Sequence, residues 1–274
     1  MMDERPRPQP SPRPPSPPRR RRPHALTAVL ATLAALAVLA AAAPPAAAEA
    51  EPQARRVAER VVEALGGEAA WGNVRLVHFG FAGRRTHHWD RSTGRHRVEG
   101  ETRDGERFLV IADLDTRRGR AWLDGAEVTG EKAEELLETA YGAWVNDTYW
   151  LLMPYKLLDP GVHLTYEGTE SLDGVPHDVL GLAFEGVGLT PGDRYWAWIN
   201  RDTGLMDRWA YRLQSQPEDA EPTVWRWQGW DWHGPDGARV RLAPRRQTLD
   251  GERTLELDPI EVSDAVPEAL FAAP

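Results

Sequence analysis

The residues best suited to chemistry crowd into one short region, where His78, the HHWD run from His87 to Asp90, and His96 lie close in sequence. Imidazoles beside a carboxylate are the usual material of zinc sites and of proton relays. Spacing argues against a metal here. In a strand, successive side chains point to opposite faces, so His87 and His88 cannot readily share one ion. Helical HExxH and HxxEH motifs are also absent. No G-x-S-x-G nucleophile motif occurs, and Glu134 with Glu135, or Asp219 with Glu221, fall in stretches expected to be solvated. GVGLTPGD, residues 186 to 193, has neither the βα setting nor the lysine of a phosphate loop and reads as a connection between strands. These residues assign no metal, no cofactor and no catalytic group. They leave one enzymatic alternative, a hydrolase or isomerase for an apolar substrate that uses His87, His88 or Asp90.

The elements that would position such groups begin after an export signal. A Pro/Arg-rich start leads to the basic cluster Arg19 to Arg22, then an Ala/Leu-rich stretch from Ala25 to Ala43, then Ala46 and Ala48 in an A-x-A arrangement. Cleavage after Ala48 is predicted, giving a signal peptide over 1–48 and a single domain over 49–274. If retained, the apolar stretch would serve as a membrane anchor. The chain contains no cysteine, which rules out a disulfide, a Cys-ligated metal and a lipid-modified N-terminal cysteine. The expected location is therefore periplasmic or secreted. The formal charge is −9 for the whole chain and about −13 once the Arg-rich first fifty residues are set aside, which excludes the basic stripe that nucleic acid requires.

Past the signal, Val57, Val61, Val62 and Leu65 recur at helical spacing, and Gly66-Gly67 stops a helix over about 52–65. The period then falls to two. Strands are predicted at about 73–82, 84–91, 95–102, 106–113 and 118–124, with turns around Gly94, Gly105 and Gly125. A second helix over about 131–144 carries the stripe Ala133, Leu136, Leu137, Ala140 and Trp144. Further strands follow at about 162–170, 177–185, 193–200, 205–213, 222–232, 238–249 and 253–262. So many antiparallel strands with so few helices cannot stay flat. The predicted class is mainly β (α+β): a strongly curved antiparallel sheet forming a half-barrel, with one or two helices over the concave face.

Two aromatic regions could line the inside of such a sheet. Alternation puts Trp196 and Trp198 on one face of their strand, and Trp225 and Trp227 on one face of TVWRWQGWDWHG. A bulge at Gly229 would bring Trp230 and Trp232 to that same face. The other region is NDTYWLLMPYKLLDPGV, where Pro154 and Pro160 predict an irregular segment that plugs or rims a cavity. Its apolar groups are too costly to leave in water, at roughly 1.5 to 3 kcal/mol each. Lys156 and Asp159 form a structural pair or meet a ligand head group at the rim. The candidate ligand-binding residues are Trp144, Tyr149, Trp150, Leu152, Met153, Tyr155, Lys156, Trp196, Trp198, Trp225 and Trp227, with plain core packing as the alternative for the indoles.

WLLMPYKLLDPGV, LTPGDRYWAWINRDTG and the terminal PEALF together resemble a family of exported bacterial proteins that is itself similar to the LolA/LolB-like lipoprotein-carrier superfamily. The resemblance covers roughly residues 52 to 271. It implies a half-barrel lidded by helices that binds a lipid or acyl chain, with transient contact to an envelope membrane or a lipoprotein. The function expected from the sequence is thus non-enzymatic binding of a hydrophobic ligand, and a fully packed structural module of the envelope is the third alternative.

Overall fold

The structure, a computed structural model, describes residues 52–187 and 189–274. The export signal, its cleavage site at Ala48 and the anchor alternative lie outside the described residues. Helix α1 (Pro52–Ala64) buries Ala54, Val57, Ala58 and Val61 and ends at the glycine pair. The chain then enters a second, short helix, α2 (Gly67–Asn73), which the glycines had hidden in the sequence; Gly66 and Gly67 both take positive φ to make the corner.

Six strands follow as a meander: β1 (Leu76–Phe81), β2 (Arg85–Asp90), β3 (Arg95–Glu101), β4 (Arg107–Asp113), β5 (Arg118–Leu123) and β6 (Ala126–Val128). Helix α3 (Glu131–Leu152) comes next, continued by a 3-10 turn over Met153–Lys156. Four longer strands come after it: β7 (Val162–Leu172), β8 (Val175–Phe184), β9 (Arg194–Asn200) and β10 (Met206–Arg212). Six shorter ones complete the chain: β11 (Thr223–Gln228), β12 (Asp231–His233), β13 (Val240–Leu242), β14 (Arg245–Thr248), β15 (Thr254–Glu256) and β16 (Ile260–Ser263). A final 3-10 turn spans Glu268–Phe271.

The strands pair into two seven-stranded antiparallel sheets, ordered β16-β1-β2-β3-β4-β5-β6 and β15-β14-β11-β10-β9-β8-β7, with β12 and β13 as a separate pair. Strands β15 and β16 are consecutive in the chain and stand at the neighbouring ends of the two sheets. At that seam Gly80 N–H donates to the carbonyls of Leu257 and Pro259, and Ala82 N–H donates to Glu256. Only glycine fits there, because a Cβ on Gly80 would lie 2.0 Å from the Asp258 oxygen. The fold is thus mainly antiparallel β with a few helices, its sheets not closed into a barrel, as the strand pattern indicated.

Three runs read as single strands are broken. Gly229, at φ 79°, ends β11 instead of bulging it, so Trp232 leaves the sheet for β12. Ala243-Pro244 separates β13 from β14, and Leu257 to Pro259 separates β15 from β16. The short β6 has too little patterning to be seen in sequence.

The segment predicted to be irregular is helical, and this is the main correction. Helix α3 runs eight residues beyond Trp144, through the Asn146-Asp147-Thr148 run that resembles a turn. Tertiary and local partners hold these polar residues in the helix. Thr148 Oγ1 donates back to the Trp144 carbonyl at 2.6 Å, and Asp147 is buried against Arg85 and His87. Pro154 then removes only its own N–H, which would have bonded to Trp150 in a continuing helix. The freed Trp150 carbonyl accepts from Arg246 Nη2 at 2.7 Å. Arg246 is fully buried, stacks 3.3 Å from the Trp227 ring centroid, and also donates to the Ala243 and Arg245 carbonyls. A buried guanidinium thus completes the end of α3, where the helix dipole favours positive charge.

Candidate functional site

The histidine region is built from the inner face of the first sheet. Cross-strand register aligns Phe79, His87, Val98, Val110 and Ala121 in one row beneath α3. His87 and His88 do face opposite sides. Inward, His87 Nε2 meets Asp147 Oδ2 at 2.9 Å and His87 Nδ1 meets His96 Nε2 at 3.0 Å. Arg85 adds a two-pronged contact to the same carboxylate, at 2.7 and 3.0 Å. A carboxylate only accepts, so His87 carries its proton on Nε2, accepts at Nδ1, and receives the N–H of His96. This chain needs both imidazoles neutral. Burial lowers the pKa of each, overriding for His87 the opposing pull of Asp147.

Outward, His88 stacks on His78 with ring centroids 4.2 Å apart, and burial together with His78 and Arg97 pushes its pKa down to about 4. Asp90 stabilises the turn after β2: although burial opposes ionisation, donors from Ser92, Thr93 and Arg95 hold its pKa at about 2. Among the described residues no cluster has the makings of a metal site. His87, His88 and Asp90 therefore sit in three separate settings, and none of them lines the aromatic cavity at the second sheet.

The cavity lies at the second sheet. It measures about 400 Å3, within the range of small-molecule sites, between the C-terminal half of α3, the inner face of β8 to β10, and the connections that precede β9 and follow β10. Helix α3 contributes Val145, Asn146, Tyr149 and Trp150. The facing strands supply Phe184, Tyr195, Trp209 and Tyr211, while Val187, Leu189, Thr190, Asp193 and Leu213 form the loop side. The aromatic groups interlock. Tyr195 stacks on Trp209 at 5.4 Å, Trp150 meets Trp209 edge-on at 4.7 Å, and Tyr149 leans on both Tyr195 and Trp209. Such packing makes rigid walls. Trp209 Nε1 is buried with no hydrogen-bond partner among the described residues.

Asp193 is the polar anchor of this site. It is buried, and it accepts from Thr190 Oγ1 at 2.6 Å, Tyr195 OH at 3.1 Å and the Gln214 N–H at 2.8 Å. Burial raises the pKa of the Tyr195 hydroxyl, and the Asp193 charge raises it further. Tyr149, in deeper burial, is pushed the same way.

Of the residues singled out in the sequence, only Tyr149 and Trp150 border the cavity. Leu152, Met153 and Tyr155 are core. The Tyr155 hydroxyl ties α3 to the carbonyls of Leu65 and Arg241 at 3.0 and 2.8 Å, and its ring lies on Trp71. Trp144 packs edge-on against Trp89, at the first sheet. Lys156 pairs with Asp159 at 3.2 Å. Trp225 and Trp227 are core beside the cavity, behind Trp150 and Trp209. Trp196 and Trp198 do share a face, but it is the outer one. Ala197 and Ile199 occupy the buried face, while Trp198 Nε1 donates to the exposed side chain of Glu170. The four-indole wall does not form either, since Trp232 is 37% exposed beside Arg239 and Arg241.

Sequence reasoning missed Tyr195, Trp209, Tyr211 and Asp193. A signal was present. Ala197 and Ile199 lack any polar handle, so they mark the inward parity of β9, and Tyr195 shares it.

Neither a protein-family model nor a curated protein sequence matches the chain. Among solved structures it is similar to a DUF1329 family protein from Desulfovibrio piger, at 12% identity and TM-score 0.41 over 80% of this chain and 97% of that one. It is also similar to a putative outer membrane lipoprotein-sorting protein domain from Vibrio parahaemolyticus, at 10% identity and TM-score 0.40 over 80% and 96%. A third similar structure is a LolA superfamily protein from Nitrosomonas europaea, at 11% identity and TM-score 0.35 over 80% and 97%.

Proposed function

We propose that this chain is an exported, single-domain, non-enzymatic protein that holds a hydrophobic ligand, a lipid or an acyl chain, in the aromatic cavity beside α3. The observation that carries this reading is the cavity itself: about 400 Å3 walled by six aromatic rings and several aliphatic groups. Water gains little from such walls, and an apolar chain that displaces it gains roughly 25 cal/mol for each Å2 of apolar surface buried. Binding of this kind needs no cofactor and no catalytic group. Carriage of the ligand between envelope membranes, with release when α3 moves, would follow from the same site.

The histidines speak for the non-enzymatic alternative within this reading. Both ring nitrogens of His87 are spent on His96 and Asp147, and no histidine lines the cavity. Mass spectrometry of an organic extract from the protein, purified without detergent from the periplasm of an expressing cell, tests the proposal. A stoichiometric lipid or fatty acid is the expected result. An empty protein whose tryptophan fluorescence ignores added fatty acids, phospholipids and single-chain amphiphiles alike would overturn it.

A further inference from the structure

The lining of the cavity is selective in charge as well as apolar. None of its residues is Lys, Arg or His, and its one ionisable carboxyl is Asp193. That carboxylate is 2% exposed and has three neutral donors but no cationic partner among the described residues. Neutral donors stabilise a buried charge without cancelling it, so the site keeps a negative field in a low-dielectric setting. Burial, then Tyr195, Asp159 and last Asp193, push up the Tyr149 hydroxyl on α3. The surrounding rings add to the negative field. Aromatic faces carry negative quadrupole potential, and a cation set against Trp or Tyr within about 6 Å is attracted, most strongly where water is excluded.

A carboxylate or phosphate head group would meet the like charge of Asp193 and no cationic side chain in such a site. We propose that the cavity takes the cationic head of an amphiphile, a quaternary or protonated amine, with Tyr149, Trp209 and Tyr211 as aromatic walls and Asp193 as the counter-charge. This inference rests on the hydrophobic-ligand reading and sharpens it. The alkyl chain would lie along Trp150, Phe184 and Leu213. Of the other buried charged groups, Asp147 pairs with Arg85, Asp90 with Arg95 and Asp178 with Arg60, while Arg246 donates to three carbonyls at the end of α3. None of them lines the cavity; Asp193 does.

The test compares three ligands with the same alkyl chain: decyltrimethylammonium, decanoate and the uncharged decyl hexaethylene glycol ether. Each is titrated below its micelle concentration, with tryptophan fluorescence and calorimetry as readouts. The cation should bind at least about tenfold tighter than the ether, and decanoate should bind most weakly. Asp193→Asn should erase most of the cation's advantage and leave the ether unchanged. A merely structural role for Asp193 would weaken all three ligands together. Should Asp193→Asn fail to fold, Tyr211→Leu replaces it, with loss of cation binding exceeding loss of ether binding as the expected result. Ether binding as tight as the cation, or decanoate binding tightest, overturns the head-group inference while leaving the hydrophobic-ligand reading intact. Failure of all three to bind overturns both.

Discussion

Over the first sheet, α3 sets Leu136 and Ala140 among Val98, Val110 and Ala121, and it places Asp147 against Arg85 and His87. Over the second sheet the same helix presents Tyr149 and Trp150 to Tyr195 and Trp209 and leaves a cavity. Two residues of one helix separate a closed polar strut from an open aromatic chamber. His87 and Asp147, the residue types that suggest chemistry, spend their polar atoms on each other, on His96 and on Arg85, away from the cavity. The residues that suggest packing surround the space. Chemical potential in a sequence is thus a poor guide to function until it is known which groups already satisfy one another.

The strut can be broken first, and with the largest effect. Asp147→Ala would leave the Arg85 guanidinium and the His87 N–H without their acceptor. Removing one partner of a buried charged pair typically costs about 3 to 5 kcal/mol. Urea unfolding should show that loss as a lowered midpoint at an unchanged slope. If the variant unfolds within about 1 kcal/mol of the parent, the strut is not what fixes α3 on the first sheet.

How far this comparison was legible in the sequence varied with how local the cause was. The meander of β1 to β5 could be read, because polar turns at Gly94, Gly105 and Gly125 punctuate strict alternation. The course of α3 could not. Asn146-Asp147-Thr148 looks like a turn until Arg85 and His87, some sixty residues away, supply the partners that bury Asp147. Nor does anything near Pro154 announce that Arg246 will take up the carbonyl it frees. For the cavity, alternation paired Trp196 with Trp198 and Trp225 with Trp227 but could not choose the buried face of β9. That choice belongs to the whole sheet. Consequently Tyr149 and Trp150, which stand out in the apolar block, are among the residues that border the cavity, while Tyr195 and Trp209, which also border it, did not stand out.

Acid should distinguish the two sheets more gently. His87, His88 and His96 all belong to the first sheet, and all have pKa values below that of a free histidine. Each is neutral when folded and charges on unfolding, so the unfolded chain binds more protons below about pH 6.5. Stability contributed by the neutral rings is therefore present above that pH and is lost as pH falls toward about 4, the value for His88. Asp90, held at about 2, opposes no part of this window, since its contribution declines only below its unfolded value near 4. Thermal midpoints measured from pH 7 to pH 4.5 should fall, and amide exchange should quicken in β2 and β3 before β8 and β9. A flat profile would mean that the rings are charged in the fold.

The smallest effect is expected at Lys156, and it bears on which part of the apolar block can meet a ligand. The Lys156–Asp159 contact is 3.2 Å long, three residues apart in sequence, with side chains 35% and 47% exposed. Pairs this exposed are worth about 0 to 1 kcal/mol, because water screens the charges and two long side chains lose freedom. Neither residue borders the cavity, whose lining from this part of the chain ends at Trp150. Lys156→Ala should therefore shift the unfolding midpoint barely beyond error and leave binding of decyltrimethylammonium and decanoate as in the parent. Weakened decanoate binding would instead make the ammonium a head-group contact and extend the site along the 3-10 turn. Unchanged binding confines the site to Tyr149 and Trp150, with everything from Leu151 to Leu157 serving to seat α3 in the core.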